Sequence, residues 1–325
     1  MDRVRYGVLS TSQVARNQHI PAAREAANAE IVAISSRERS RAEEWASRLE
    51  IPRAYGSYGE LLADPGIDAV IVPLPNSLHC EWTVKAVEAG KHVLCEKPLA
   101  VTVEEARRMI DAAQANGVLL MEAFTTRFQP VMPCVRETIG SGQIGEVVIV
   151  RAELTYTIQD WDADNRVKAE LGGGALLDAG CYCVNAIRFV MGAEPESVQA
   201  FQREKEGYGV DATFVGLMRF PGDRMACMAT GMEQPFRARC EVIGTAGRIE
   251  VPYLFGEQVV KVVVGGQERV LEFDAVNRFR AQIAHFADCI LHGTQPTLPP
   301  EDGLNNTRVL VALQRAAREG RAVEV

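Results

Sequence analysis

Lys91-His92-Val93-Leu94-Cys95-Glu96-Lys97-Pro98 is the stretch that decides the fold. A compact apolar strand, Val93 to Cys95, opens directly into an acid, a base and a proline. Helical patterns flank it. His79 to Ala89 is closed by Gly90, and Val103 to Ala115 has Thr102 as N-cap, Glu104 and Glu105 in its first turn and Gly117 at its end. Near-continuous apolar strands alternating with amphipathic helices argue for a parallel, doubly wound sheet. In such a sheet small ligands bind outside the carboxyl ends of the strands. Lys97 stands at that place and points at whatever occupies the crevice.

The same alternation runs back to the start of the chain. Val4 to Leu9, Ile31 to Ile34, Ala69 to Val72 and Val118 to Ala123 read as strands, and Gln13 to Ala27 and Arg39 to Leu49 as helices. After Phe124 the pattern changes. A helix from Val131 to Ile139 ends at Gly140-Ser141-Gly142, and longer strands follow: 146–155, 197–202, 212–220, 225–231, 237–243, 248–252 and 259–264. Pro221-Gly222-Asp223 is a hairpin turn between two of them. Helices are expected at Ala175 to Met191, Phe279 to Leu291 and Leu304 to Arg318. The expected architecture is a Rossmann-type α/β domain over 1–123, then an α+β domain over 124–325 built on a large, mainly antiparallel open sheet. Met225, Cys227, Ala229 and Gly231 alternate along one strand, and an apolar sheet face of this kind usually meets a second subunit. A homodimer or homotetramer through the C-terminal sheet is therefore expected.

Composition narrows the partners. Of 325 residues, 47% are hydrophobic and 24% charged, the ordinary balance of a globular protein, and the net charge of −8 without a polybasic block argues against nucleic acid. No apolar stretch approaches the roughly 18 residues of a membrane span. Met1-Asp2-Arg3-Val4-Arg5 leads at once into a strand rather than a signal peptide. The eight cysteines, Cys80, Cys95, Cys134, Cys181, Cys183, Cys227, Cys240 and Cys289, show no CxxC pair, so free thiols in a reduced cytoplasm and no metal site are expected.

The first strand-to-helix turn reads Gly7-Val8-Leu9-Ser10-Thr11-Ser12-Gln13-Val14-Ala15. It fails the GxGxxG fingerprint at Ser10 and Ser12, while Ala15 fills a place that tolerates alanine. The hydroxyls of Ser10, Thr11 and Ser12, with free N–H groups at the helix start, suit a pyrophosphate; a simple Ser/Thr N-cap is the plainer reading. The second strand ends in Ser35-Ser36-Arg37 where an acid would mark NAD. Ser36, Arg37 and nearby Arg39 instead suit the 2′-phosphate of NADP(H), leaving NAD(H) as the second choice. Beyond the third strand come Leu74 and Asn76, with Pro73 and Pro75 fixing the backbone, then His79; all are candidates for cofactor contact.

Asn76, His79 and the run Ala89 to Pro98 resemble the Gfo/Idh/MocA (glucose–fructose oxidoreductase / inositol dehydrogenase) family. That resemblance implies an N-terminal Rossmann domain, a C-terminal open-sheet domain, Lys97 as the catalytic lysine of its Glu-Lys-Pro motif and a cis peptide before Pro98. A second segment, Gly172-Gly173-Gly174-Ala175-Leu176-Leu177-Asp178-Ala179-Gly180-Cys181-Tyr182, resembles the family's substrate-domain motif. Many members carry histidine and aspartate where this chain has Tyr182 and Asn185. The tyrosine form resembles the sugar dehydrogenase, keto-sugar reductase and dihydrodiol dehydrogenase branches.

The chemistry then follows from charge. A tyrosine with a pKa near ~10 is a poor base at neutral pH, and a neighbouring ammonium stabilises its phenolate. Tyr182 is thus expected to act as general acid/base with Lys97 tuning it and polarising the substrate oxygen, the exchanged roles remaining open. Asp178, one helical turn before Tyr182, is read evenly as a site residue or as a helix-start acid. Glu96 braces Lys97 or satisfies loop N–H groups beside the cofactor. Arg127 lines the pocket or forms an interdomain salt bridge. Tyr156, Trp161, Asn165 and Arg166 are candidates for holding a sugar-like substrate. The expectation is an NADP-dependent oxidoreductase acting on CH–OH groups of a sugar-like secondary alcohol or ketone, or a hemiacetal or lactone. The rivals are a redox-neutral sugar-modifying enzyme with retained NAD and a non-enzymatic dinucleotide sensor.

Overall fold

The computed structural model describes residues 2–256 and 258–325. The chain forms two compact units: Met1–Phe128 with Asn277–Leu304, and Gln129–Val276 with Asn305–Val325. The sequence reading instead assigns all of 124–325 to the second domain. Periodicity shows that the helix near 279–291 has an apolar face but cannot say which sheet that face covers.

In the first unit β1 (Val4–Leu9), β2 (Ala29–Ser35), β3 (Arg53–Tyr55), β4 (Ala69–Val72), β5 (His92–Cys95) and β6 (Leu120–Glu122) form a six-stranded sheet. Its order is β3-β2-β1-β4-β5-β6 and every pairing is parallel. Helices cover the sheet, so β4 is buried along its whole length and β5 from Val93 on. Strand order reverses between β1 and β4, which opens the crevice where the loops after β1, β4 and β5 begin. The helix Val103–Ala115 starts in a full capping box, Thr102 accepting the Glu105 N–H and Glu105 accepting that of Thr102. The helical segment expected over 13–27 runs over 13–25, with a π-helical turn, Ala15–His19, leading into a short α-helix, Ile20–Glu25, in which Pro21 brings no backbone N–H. The returning helix Arg278–His292 packs against Ile20–Glu25 and against β1 and β2.

In the second unit β7 (Val147–Thr157), β8 (Ser197–Glu204), β9 (Asp211–Arg219), β10 (Met225–Gly231), β11 (Glu233–Gly244), β12 (Gly247–Val251), β13 (Val259–Val264), β14 (Gln267–Glu272) and β15 (Val323–Glu324) make a nine-stranded sheet. Its order is β14-β13-β12-β11-β7-β10-β9-β8-β15, antiparallel except where β10 lies parallel to β7. One face is dry. Val150, Ala152, Leu154, Phe214, Met218, Ala226 and Met228 are buried there, and the helix Cys181–Met191 packs against β7 and β10. Gly216 lets Leu313 of the helix Pro300–Glu319 approach, since a Cβ would fall 2.9 Å from it. The other face leaves Phe201, Val215, Leu217 and Met225 exposed, with Val215 paired to both Phe201 and Ala229 and Leu217 to Cys227.

The helical run Ala169–Met191 corrects the reading that no stretch is long and apolar enough to cross a membrane. It meets that test by length and composition, yet 83% of its apolar window is buried within the protein, as in a core helix.

Candidate active site

The turn after β1 is held by its own hydroxyls. Ser10, at φ 150°, donates from Oγ to the Pro73 carbonyl at 3.2 Å and accepts the Ser12 N–H at 3.2 Å. Ser12 Oγ in turn accepts the Ala15 N–H at 3.3 Å. The Ser10 hydroxyl thus ties the first turn to the loop after β4. The donor set of this turn fits a dinucleotide pyrophosphate: hydroxyls, partly exposed at Thr11 and Ser12, beside a helix start whose first N–H groups have no intrahelical carbonyl.

At the end of β2, Ser35 Oγ donates to the Val8 carbonyl and Ser36 is buried, its N–H donating to the Tyr55 carbonyl and its Oγ accepting the Glu38 N–H. Arg37 is exposed, whereas Arg39 is engaged by Glu60 at 2.6 Å on the surface.

His79 is fully enclosed. Its Nδ1 lies 2.8 Å from the Pro98 carbonyl and its Nε2 2.9 Å from the Leu74 carbonyl, so one ring spans the loops after β4 and β5. Burial drives its pKa down against those two carbonyls. His79 thus acts through the loops it joins. Leu74 is buried, and Asn76 opens the single turn Asn76–Leu78 beside them.

The Lys97–Pro98 peptide is cis, as the motif implies. Glu96 is buried against His19, with His19 Nε2 2.7 Å from Oε1, while Oε2 accepts the Lys97 N–H at 3.2 Å. Burial pushes the Glu96 carboxyl up, but the His19 hydrogen bond and charge, with the charge of Lys97, outweigh it and hold the group below its usual range. Glu122 closes the far side of the loop by accepting the Leu99 N–H at 2.7 Å. His19 and Glu122 carry no sequence motif, and only the fold brings them to the lysine loop. Arg127, in the single turn Thr125–Phe128, has Nη1 3.9 Å from Asp302. Both residues belong to the first unit, because 277–304 returns to it, so this ion pair lies within one unit.

In the second unit Asp178 lies in the π-helical turn Leu176–Gly180 and Tyr182 in the first turn of the helix that continues it. Tyr156 Oη donates to Asp178 Oδ2 at 2.5 Å, and Arg166 Nη1 is 3.9 Å from the same oxygen. Arg166 stacks over the Tyr156 ring at 4.9 Å and grips Asp164 with two hydrogen bonds of 3.0 and 2.6 Å. Burial raises the Asp164 carboxyl, and the Arg166 bonds reverse this to a net lowering. The Tyr182 ring meets Phe255 edge-on at 4.9 Å. Tyr156, Arg166 and Asp178 are thus brought together, with both donors at one carboxylate oxygen, Oδ2. Trp161 packs with Tyr156 and Tyr208 against one cluster of Ile158, Val167, Ala175, Val210 and Met232, its ring 5.3 Å from that of Tyr208 and 5.0 Å from Lys205 Nζ, and Asn165 accepts from Lys168 Nζ. Sequence gave no sign of Phe255, Tyr208 or Asp164, which no spacing rule connects to the motif.

Residues 4–124 match the oxidoreductase family described by an NAD-binding Rossmann fold, and residues 134–250 match the GFO/IDH/MocA C-terminal domain. The chain belongs to the Gfo/Idh/MocA oxidoreductase family. Among its relatives in that family is D-xylose 1-dehydrogenase (NADP(+)) 2 of Haloferax volcanii, 34% identical over 98% of this chain and 99% of that one. Among solved structures, aldose–aldose oxidoreductase from Caulobacter crescentus, complexed with glycerol, is 31% identical with a TM-score of 0.92 over 99% of this chain and 100% of that one. The 3-ketoreductase KijD10 from Actinomadura kijaniata, in complex with NADP and TDP-benzene, is 31% identical with a TM-score of 0.92 over 97% and 98%. The Gfo/Idh/MocA membership and the two-sheet architecture expected from sequence are both borne out.

Proposed function

We propose that the protein is an NADP-preferring oxidoreductase that interconverts a secondary alcohol and a ketone, or a hemiacetal and a lactone, on a sugar-like substrate. The observation that carries this reading is the fixing of the Lys97 loop at the carboxyl end of β5 by a buried carboxylate and two enclosed histidines. A lysine positioned at such cost in burial serves a reaction rather than solubility.

Support for NADP comes from the end of β2, where Ser36 and exposed Arg37 replace the ribose-binding acid. It also comes from relatives named for NADP or solved with it. When bound, the nicotinamide supplies the two-electron chemistry of the reaction. Ser10, Thr11 and Ser12 would hold the pyrophosphate, Ser36 and Arg37 the ribose phosphate, and Leu74, Asn76 and Glu96 the remainder. Tyr182 gives its phenolic proton to the ketone oxygen in reduction and takes it back in oxidation. The Lys97 ammonium stabilises the negative charge that develops on that oxygen and on the phenolate. Asp178 accepts hydrogen bonds from substrate hydroxyls, with Tyr156 and Arg166 setting its direction, and Trp161, Asn165 and Arg127 extending the substrate surface. In KijD10 a lysine and a tyrosine have each been replaced in structures solved with NADP, which favours the same pair of residue types.

The second unit is read as the substrate and oligomerisation domain, its exposed Phe201, Val215, Leu217 and Met225 meeting a second copy. The eight unlinked thiols suit a reducing cytoplasm. A panel of sugars and keto-sugars followed by NADPH absorbance tests the reading. Turnover is expected on polyhydroxylated substrates and faster with NADP(H) than NAD(H). Tight cofactor binding with no turnover across the panel would overturn it.

A further inference from the structure

Gly174 has two separate reasons to be glycine. Its φ of 115° is one that side-chain-bearing residues rarely adopt, and a Cβ there would fall 2.1 Å from Asp211 Oδ1. The carboxylate of Asp211, the first residue of β9, presses into the start of the helical run that carries Asp178 and Tyr182. Its Oδ2 accepts the Leu176 N–H at 2.7 Å, and the Ala175 N–H and its own backbone N–H also bond to it. The N-cap residue of this run, Ala175, has no side-chain oxygen to offer. An aspartate from a distant strand supplies what a Ser or Asp at the cap would give.

The anchoring continues along the backbone. Asp178 donates its N–H to the Gly174 carbonyl at 3.0 Å, so the peptide held by Asp211 is the one that fixes Asp178 in its turn. Gly174 donates to the Arg166 carbonyl at 2.9 Å and Gly173 to that of Lys168 at 3.0 Å, tying the Arg166 loop to the same point. From β10, Thr230 Oγ1 donates to the Ala175 carbonyl at 3.3 Å, and Gly180 lets the turn press onto Met228 and Thr230. A single carboxylate therefore sits where the loop bearing Arg166 and the turn bearing Asp178 converge.

The geometry points to Asp211 as the positioning residue for Asp178 and Tyr182: a cap supplied from β9 that sets the rotation and axial position of the turn on which both stand. It touches neither substrate nor cofactor. The inference rests on the reading of Tyr182 as the acid/base, and the test separates the two.

Asp211→Ala, Asp211→Asn, Gly174→Ala and Tyr182→Phe are compared with the parent for kcat, KM, NADPH affinity and melting. Misplacing the turn without removing a reacting group should lower kcat roughly a hundredfold in Asp211→Ala. NADPH affinity should stay within about twofold, because the cofactor residues lie in the other unit. Asp211→Asn keeps an oxygen acceptor for the Leu176 N–H and should recover most of kcat, a rescue that a merely bulky residue would not produce. Gly174→Ala, which displaces the carboxylate without removing it, should lose kcat as Asp211→Ala does and carries the test if Asp211→Ala does not fold. Parent-like kcat in Asp211→Ala or Gly174→Ala, with Tyr182→Phe inactive, would overturn this inference alone, as would Asp211→Asn faring no better than Asp211→Ala. An active Tyr182→Phe would overturn the acid/base reading and this inference with it.

Discussion

Replacing His19 by alanine should cost far more at neutral pH than in acid. In the parent, Glu96 is buried with His19 Nε2 at 2.7 Å, and its carboxyl is held below the usual range. A group with a depressed folded pKa contributes stability that is present above its unfolded value and lost as pH falls through the folded one. His19→Ala removes a buried hydrogen bond to a charged acceptor, about 1.5–3 kcal/mol. It also leaves the carboxylate buried with less compensation, for a total of about 3–5 kcal/mol near neutrality. Burial then raises the Glu96 pKa in the variant, so the penalty grows with rising pH and shrinks in acid, where the carboxyl protonates. Denaturant unfolding from pH 4 to 8 reads this directly. His19→Gln, which keeps an N–H donor near Nε2, should recover about half of the loss. A destabilisation that does not change with pH, or a glutamine variant as unstable as the alanine one, would refute the reasoning.

Two further outcomes follow from other parts of the molecule. Arg37→Ala should raise KM for NADP(H) roughly tenfold, the effect of about 1.4 kcal/mol of phosphate pairing, and leave NAD(H) unchanged; equal effects on both cofactors by steady-state kinetics would count against the 2′-phosphate role. If the exposed sheet face is the proposed interface, Leu217→Glu, set opposite Cys227 on it, should lower the mass to that of a monomer by light scattering, and an unchanged mass would refute that face as the interface.

Most of the fold can be read from local patterns, and particular residues show where that stops. Val4–Leu9, Ala69–Val72, Val103–Ala115 and Met225–Gly231 have the bounds expected, because apolar periodicity and a capping box are written within a few residues. Arg53–Tyr55, Tyr58–Leu62, Gln267–Glu272 and Val323–Glu324 lie outside the expected elements, being too short or too polar to set a period. The helix Pro300–Glu319 starts four residues before Leu304, since proline is tolerated at a first helical position. In the site, Lys97, Asp178 and Tyr182 stood out because motif spacing is local. His19 and Asp211 did not: one is a histidine 77 residues from the carboxylate it meets, the other an aspartate 35 residues from the N–H it caps. Contacts of that range depend on topology, and no window of sequence contains them.

Lys97 and Tyr182 are proposed to act on one substrate oxygen. The most direct test is kcat of Lys97→Ala and Tyr182→Phe on a substrate the parent turns over, with NADPH affinity measured on the same preparations. Each variant should lose at least roughly a thousandfold in kcat while binding NADPH nearly as the parent does. Parent-like turnover by either variant would rule out the proposed pair.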